Sequence, residues 1–199
     1  MFLPQRLAAF VIPCFVVMVG CSANTETKST SSKAKTDNAQ SPFGNVDPID
    51  QKKLLAAKDA LFTKLSGKLM QTMSEQGPVA AIAICNQEAP QIAASVAEEN
   101  SVQIGRIGVR LRNPKNVTPD WAEAWVAAKS DSPKFLQLAD GKSAALFPIK
   151  LQATCLMCHG PKNQIAADVL AEIGKLYPDD QATGFSEGEL RGWVWVISN

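Results

Sequence analysis

The chain has 199 residues, with 20 Lys and Arg against 19 Asp and Glu and a formal charge of +1. Near-neutrality, without a basic stretch interleaved with aromatics, excludes a nucleic-acid-binding surface. The length suits one folded core, and a single histidine leaves no imidazole for a Ser-His or Cys-His hydrolase if it is used elsewhere.

Residues 1–19 carry Arg6 ahead of an apolar run over 7–19, which reads as a secretory signal. The run is short for a transmembrane helix and is followed by polar sequence. It ends in Met18-Val19-Gly20-Cys21, which resembles a bacterial lipobox. Residues 1–20 are therefore expected to be removed and Cys21 acylated, giving a lipoprotein anchored on the periplasmic face of a membrane. Residues 21–46 are rich in Ser, Thr, Lys, Asn and Asp, and cannot bury enough apolar surface to offset the entropy of ordering. They are expected to be a flexible tether, leaving residues 47–199 as the domain.

Asp47-Pro48 reads as an N-cap and first helical residue. A long amphipathic helix should follow to about Glu75 and stop at Gly77-Pro78. The apolar stretch 79–99 carries Cys85 and is expected to be helical, with an interruption near Pro90. Residues 102–112 alternate apolar and polar, marking a half-buried strand. On that strand Arg106, Arg110 and Arg112 share the face opposite Ile107, Val109 and Leu111. Thr118-Pro119 opens a third helix, with Trp121 and Trp125 four residues apart. Residues 144–151 and 190–197 read as strands, and a helix is expected over about 164–176. Helices around a few antiparallel strands make an α+β domain.

The run Cys155-Leu156-Met157-Cys158-His159 has the C-x-x-C-H form that attaches covalent haem c. Two thiols a turn apart add to the two vinyl groups of one haem, and the adjoining imidazole of His159 ligates the iron from the proximal side. A bare C-x-x-C also suits a redox pair or half a zinc site; the adjacent histidine and the export signal favour haem. Because His159 is the only histidine, a second histidine ligand is excluded. The sixth iron position falls to another residue type, water or an exogenous ligand. Of the five cysteines, Cys14 leaves with the signal, Cys21 takes the acyl group, and Cys155 and Cys158 take the haem. Cys85 remains, and a lone thiol in an oxidising compartment needs a reason. It is either a buried small hydrophobe or the distal iron ligand. The competing thioethers, Met70 and Met73, lie at helical spacing with Leu61, Leu65 and Leu69 and read as helix core. The three arginines either form a solvated face or hold haem propionates through their bidentate forks.

Several spaced motifs run in one order: Ala83-Ile84-Cys85 with Ala89-Pro90 and Ile92-Ala93, Ile104-Gly105-Arg106, Arg112-Asn113-Pro114 with Asn116, and Pro119-Asp120-Trp121. Pro148-Ile149, the haem run to Gly160, Tyr177-Pro178 with Asp180, Ala182-Thr183-Gly184 and Gly192 complete them. Over roughly residues 50–199 this pattern resembles the family of single c-type haem domains with a PAS-like fold, long catalogued as a domain of unknown function and often the sensory part of signalling proteins. The resemblance implies a small antiparallel sheet flanked by helices, behind a long N-terminal helix. It also implies iron ligation by His159 and by the cysteine at the position of Cys85. Arg106 and Arg112 fall on family motifs; Ile107 and Val109 replace the more polar residues usual there.

The expected function is electron transfer or redox sensing by a lipid-anchored, exported, single-haem protein with an unknown redox partner and no enzymatic activity. The alternative is a haem-based sensor of NO, CO or O2, or a small haem enzyme such as a peroxidase. Either needs a displaceable distal ligand, whereas a thiolate at the iron favours the first reading.

Overall fold

The computed structural model describes residues 45–199; the expected signal, Cys14, Cys21 and tether residues 21–44 lie outside them. Val46, the last expected tether position, is buried, and its carbonyl accepts a hydrogen bond from Gln51 Nε2 at 2.9 Å.

Helix α1 (Pro48–Ala83) starts where Asp47 and Pro48 direct it: Asp47 Oδ1 accepts from the Ile49 N–H at 2.7 Å and Pro48 takes the first turn. At Gly77 the backbone leaves helical geometry, with φ 84° and ψ 173°, a conformation open to a residue without Cβ. Pro78, which has no N–H to lose, restarts the helix. The expected stop is therefore a kink within one long element. A π-helical turn, Ile84–Glu88, then leads into α2 (Ala89–Asn100). Pro90 falls in the first turn of α2, where a missing N–H costs nothing. The irregularity expected near Pro90 thus lies earlier, around Cys85.

Four antiparallel strands, β1 (Val102–Gly108), β2 (Lys134–Gln137), β3 (Ser143–Lys150) and β4 (Leu190–Ser198), pair in the order β1-β4-β3-β2. The C-terminal strand is central. β2 was not expected from sequence: its four residues are too few to display alternation, and pairing with β3, from Lys134↔Leu146 to Gln137↔Ser143, defines it. β1 ends at Gly108 rather than Arg112. Strand alternation therefore does not extend to Arg110 and Arg112, and the reason for grouping them with Arg106 fails.

Alternation along β4 divides the core into two layers. Val194 and Val196 pack with Leu54, Ala57 and Leu61 of α1, Val96 of α2, and Val102, Ala145 and Phe147. Full burial of Leu54, Leu61 and Val96 contributes about 1.5–3 kcal/mol per side chain, which seats the helices on this face. On the opposite face Trp193 packs with Ile107, Leu146, Ala122 and the half-buried Trp121, Trp125 and Trp195. Trp121 lies in a 3-10 turn (Asp120–Ala122) and Trp125 in the short α3 (Glu123–Ala127), their rings edge-on at 6.5 Å. Of the expected α1 stripe, Leu61 is buried but Met70 is 49% exposed, so Met70 is not core. The protein is α+β, with a long N-terminal helix and a four-stranded antiparallel sheet flanked by helices. Among the described residues no helix is long and apolar enough to cross a membrane.

Candidate functional site

Cys155 closes a 3-10 turn (Ala153–Cys155), and Leu156–His159 forms the single turn α4. A three-residue spacing puts Cys155 and Cys158 on one side of this turn. Cys155 and Leu156 pack against Leu151, Ala182 and Phe185. Cys158 packs with Ile82 of α1 and with Ile165, Val169, Ile173 and Tyr177 on and around α5 (Ala167–Leu176). Cys85, Cys155 and Cys158 are free thiols. Among the described residues no group of three or more His, Cys, Asp or Glu side chains is arranged to hold a bare metal ion.

His159 Nδ1 lies 2.6 Å from the Ala182 carbonyl oxygen. A carbonyl only accepts, so Nδ1 carries the proton and Nε2 keeps its lone pair. Burial, reinforced by the Arg112 and Arg191 charges, lowers the histidine pKa to about 3. The imidazole is therefore neutral at physiological pH, the form that ligates a metal through Nε2 while Nδ1–H is held by a carbonyl. The backbone fixes the same geometry: the Phe185 N–H donates to the His159 carbonyl at 2.9 Å and the Gly184 N–H to that of Gly160 at 2.7 Å.

Cys85 lies in the π turn, close along the chain to Ile82, whose side chain joins the Cys158 cluster. A π turn spends an extra residue on one turn and so redirects the side chains it carries relative to a regular helix; such turns recur at functional sites. Burial pushes the Cys85 thiol pKa up, opposed by Arg106, Arg112 and Arg191. Burial also raises Cys158, against the pull of Arg112 and with the charges of Cys85 and Cys155 adding to it. Residues far apart in sequence thus lie within electrostatic reach of one another. Tyr177, the single tyrosine, joins them: burial and then the Cys85 charge raise its phenol. Met70 and Met73 lie on the other side of the Gly77 kink from Cys85.

The arginines reach this site by different routes. Arg106 shares the β1 face of Val102 and Ile104, which pack on the helical layer. Burial lowers its pKa, and Cys85 and Tyr177 oppose the shift. Arg110, beyond the strand, lies over the Phe185 ring at 3.6 Å from its centroid and reaches Glu189 at 3.5 Å. Arg112 is buried, pairs with Asp180 (Nε to Oδ1, 2.9 Å) and donates from Nη2 to the Cys158 carbonyl at 2.7 Å. Arg191, unmarked by any motif, comes from β4: its Nη1 donates to the Arg110 carbonyl at 2.9 Å. Burial and the neighbouring arginines lower it to about 10, against the pull of Asp180.

Of these four arginines, Arg110 and Arg112 pair with Glu189 and Asp180, whereas Arg106 and Arg191 have no carboxylate partner among the described residues. Arg106 and Arg191 are half-buried, and charge withdrawn from water without a counter-ion is costly, so the two guanidiniums suit anionic groups on a ligand. Haem brings two propionates. Two thiols at C-x-x-C spacing, a neutral imidazole with Nε2 open, a third thiol and two unpaired guanidiniums make a donor set that fits covalent haem.

No curated protein matches the chain. Among solved structures it is similar to the crystal structure of the cyanobacterial haem-protein Tll0287, at 24% identity and a TM-score of 0.59, covering 76% of this chain and 95% of that one. At that identity the likeness speaks for the fold alone. The family model described as Tll0287-like (Tll0287) matches residues 23–198. That span takes in both ends of the pocket, Cys85 as well as the Cys155–His159 run, and the chain belongs to the Tll0287-like family.

Proposed function

We propose that this chain carries one covalent haem c on Cys155 and Cys158, with His159 and Cys85 as the two axial ligands of the iron, and serves electron transfer or redox sensing. The observation that carries this reading is the state of His159: half-buried, neutral, its Nδ1–H given to the Ala182 carbonyl and its Nε2 uncommitted. The place of Cys85 in the π turn, three residues after Ile82, whose side chain packs with Cys158, supports the second ligand. So does the printed title of the structural relative, a haem-protein. The haem supplies one-electron chemistry. The chain's own residues do the rest: His159 and Cys85 set the donor strength, and Arg106 and Arg191 are the propionate partners with no competing carboxylate. A thiolate favours ferric over ferrous iron, whereas a thioether ligand raises the potential. The lipobox-like sequence ending at Cys21 further suggests an acyl anchor on the periplasmic face of a membrane.

Haem staining after denaturing electrophoresis, with intact mass, tests the attachment; haem extracted by acidified solvent refutes it. A mature N-terminus other than acylated Cys21 refutes the anchor. For the ligand, Cys85→Ser should keep the covalent haem but turn the ferric iron high-spin or water-ligated and raise the midpoint potential. It should also open the site to carbon monoxide or cyanide. An unchanged ferric spectrum in this variant removes Cys85 from the iron and makes Met70 and Met73 the residues to test next.

A further inference from the structure

Arg112 ties together three segments that the sequence keeps apart. Its Nε donates to Asp180 Oδ1 at 2.9 Å, and its Nη2 donates to the Cys158 carbonyl at 2.7 Å, with Asp180 Oδ2 and the Ala182 carbonyl both at 3.4 Å. The same Ala182 carbonyl accepts the His159 Nδ1–H at 2.6 Å, and the Ala182 N–H returns to Asp180 Oδ1 at 3.0 Å. One planar guanidinium therefore holds the residue before the histidine and the loop that accepts the histidine's proton. Arg112 and Asp180 side chains are only 8% and 7% exposed, so solvent neither screens the pair nor replaces its hydrogen bonds.

We propose that Arg112 and Asp180 act as a positioning pair for His159, fixing its Nδ1–H tautomer and its ring orientation, rather than as a propionate clamp. The physical ground is the effect of an outer-shell partner on a ligating imidazole. The group that holds the non-ligating N–H sets the direction and basicity of the ligating nitrogen. Here that group is a backbone carbonyl, which has no orientation of its own. Its loop lies in residues 177–185, outside any helix or strand, so something must hold it in place. The Arg112 fork does this with geometry that a point charge cannot reproduce. The Gln181 N–H to Leu111 carbonyl bond at 2.8 Å, beside the pair, keeps the two loops in register. Asp180 pairs with the guanidinium, which leaves Arg106 and Arg191 as the arginines of the site without a carboxylate partner among the described residues.

The role of this pair at the iron rests on the proposed haem site, but its hold on His159 does not, and the readouts separate the two. Because the chain has one histidine, His159 gives the only imidazole N–H resonance in a nitrogen-edited NMR spectrum. The test compares purified full-length protein with Arg112→Gln, Arg112→Lys and Asp180→Asn. It reads solvent exchange of that N–H, the ferric electron-paramagnetic-resonance g-values, the midpoint potential and the melting temperature. Arg112→Gln should speed N–H exchange by about tenfold, the factor that one lost hydrogen bond of about 1.4 kcal/mol gives, and should shift the g-values and potential. Arg112→Lys, which keeps the charge and one donor, should recover part of both. Asp180→Asn leaves the two carbonyl bonds in place and should give an intermediate change. It also serves as the deciding variant if Arg112→Gln does not fold. A lowered melting temperature with unchanged N–H exchange, g-values and potential overturns the proposal and makes the pair a fold clamp only. Wild-type protein without haem refutes the proposed function, and the N–H exchange then still decides the hold on His159.

Discussion

Gly192 faces Gly108 across the β1–β4 ladder, and the two strands run closer there than side chains allow. A Cβ at Gly192 would sit 2.0 Å from the Ile107 carbonyl oxygen and 2.7 Å from Gly108 Cα. Both obstacles are backbone, so no rotamer change relieves them and the strands must part. Overpacking of this kind costs about 1–3 kcal/mol, and each ladder hydrogen bond lost as the strands separate adds about 1 kcal/mol. Gly192→Ala should therefore destabilise the domain by about 3–5 kcal/mol, a large share of the ~5–15 kcal/mol typical of a folded domain. For a domain of this size, at about 2–4 °C per kcal/mol, the melting temperature should fall by roughly 6–20 °C. Urea unfolding followed by circular dichroism measures the loss. Gly67→Ala is the control, since a Cβ there meets nothing within 4 Å and lies inside α1. It should stabilise by about 0.5–1 kcal/mol. The Gly192 change should also disturb the pocket, because Arg191 adjoins Gly192 and reaches the Arg110 carbonyl from there. A loss below about 1 kcal/mol in Gly192→Ala would refute the packing argument, since it would mean that β1 and β4 shift apart almost without penalty.

With the proposed haem in place, Arg106→Gln should lower its midpoint potential, because it removes a half-buried cation that favours the more electron-rich ferrous centre; redox titration checks it, and an unaltered potential takes Arg106 out of the site. In a haem-free Cys155→Ser/Cys158→Ser chain, His159 stays neutral when folded, with its pKa lowered from 6.5 to about 3, while the unfolded chain protonates normally. The unfolded state then binds the extra proton, so stability is fully present above about pH 6.5 and is lost as pH falls towards 3, by at most on the order of 5 kcal/mol. Equal urea midpoints at pH 7 and pH 4.5 would show that the imidazole is not buried as described.

The parts of this protein that depend on neighbours in the chain are legible in its sequence. The proposed haem attachment would need two thiols and an imidazole at fixed covalent spacing, so Cys155, Cys158 and His159 stand out as its candidates, and counting cysteines singles out Cys85. Asp47-Pro48 and Gly77-Pro78 mark a helix start and a break in helical geometry, expected as a stop, because capping and positive φ are decided within a turn. Tertiary structure decides the rest. Regular α and π turns satisfy the backbone of the same residues, and local pattern did not distinguish them at Ile84–Glu88, where the irregularity lies instead of near Pro90. Arg112 and Asp180 are 68 residues apart, and no local pattern links them. Arg191 reaches the pocket only because the last strand inserts between β1 and β3, where Gly108 and Gly192 let the two backbones meet. Periodicity describes which face of an element is apolar; it carries no information about which distant element will cover that face. The charges around the candidate haem site are set by that second choice.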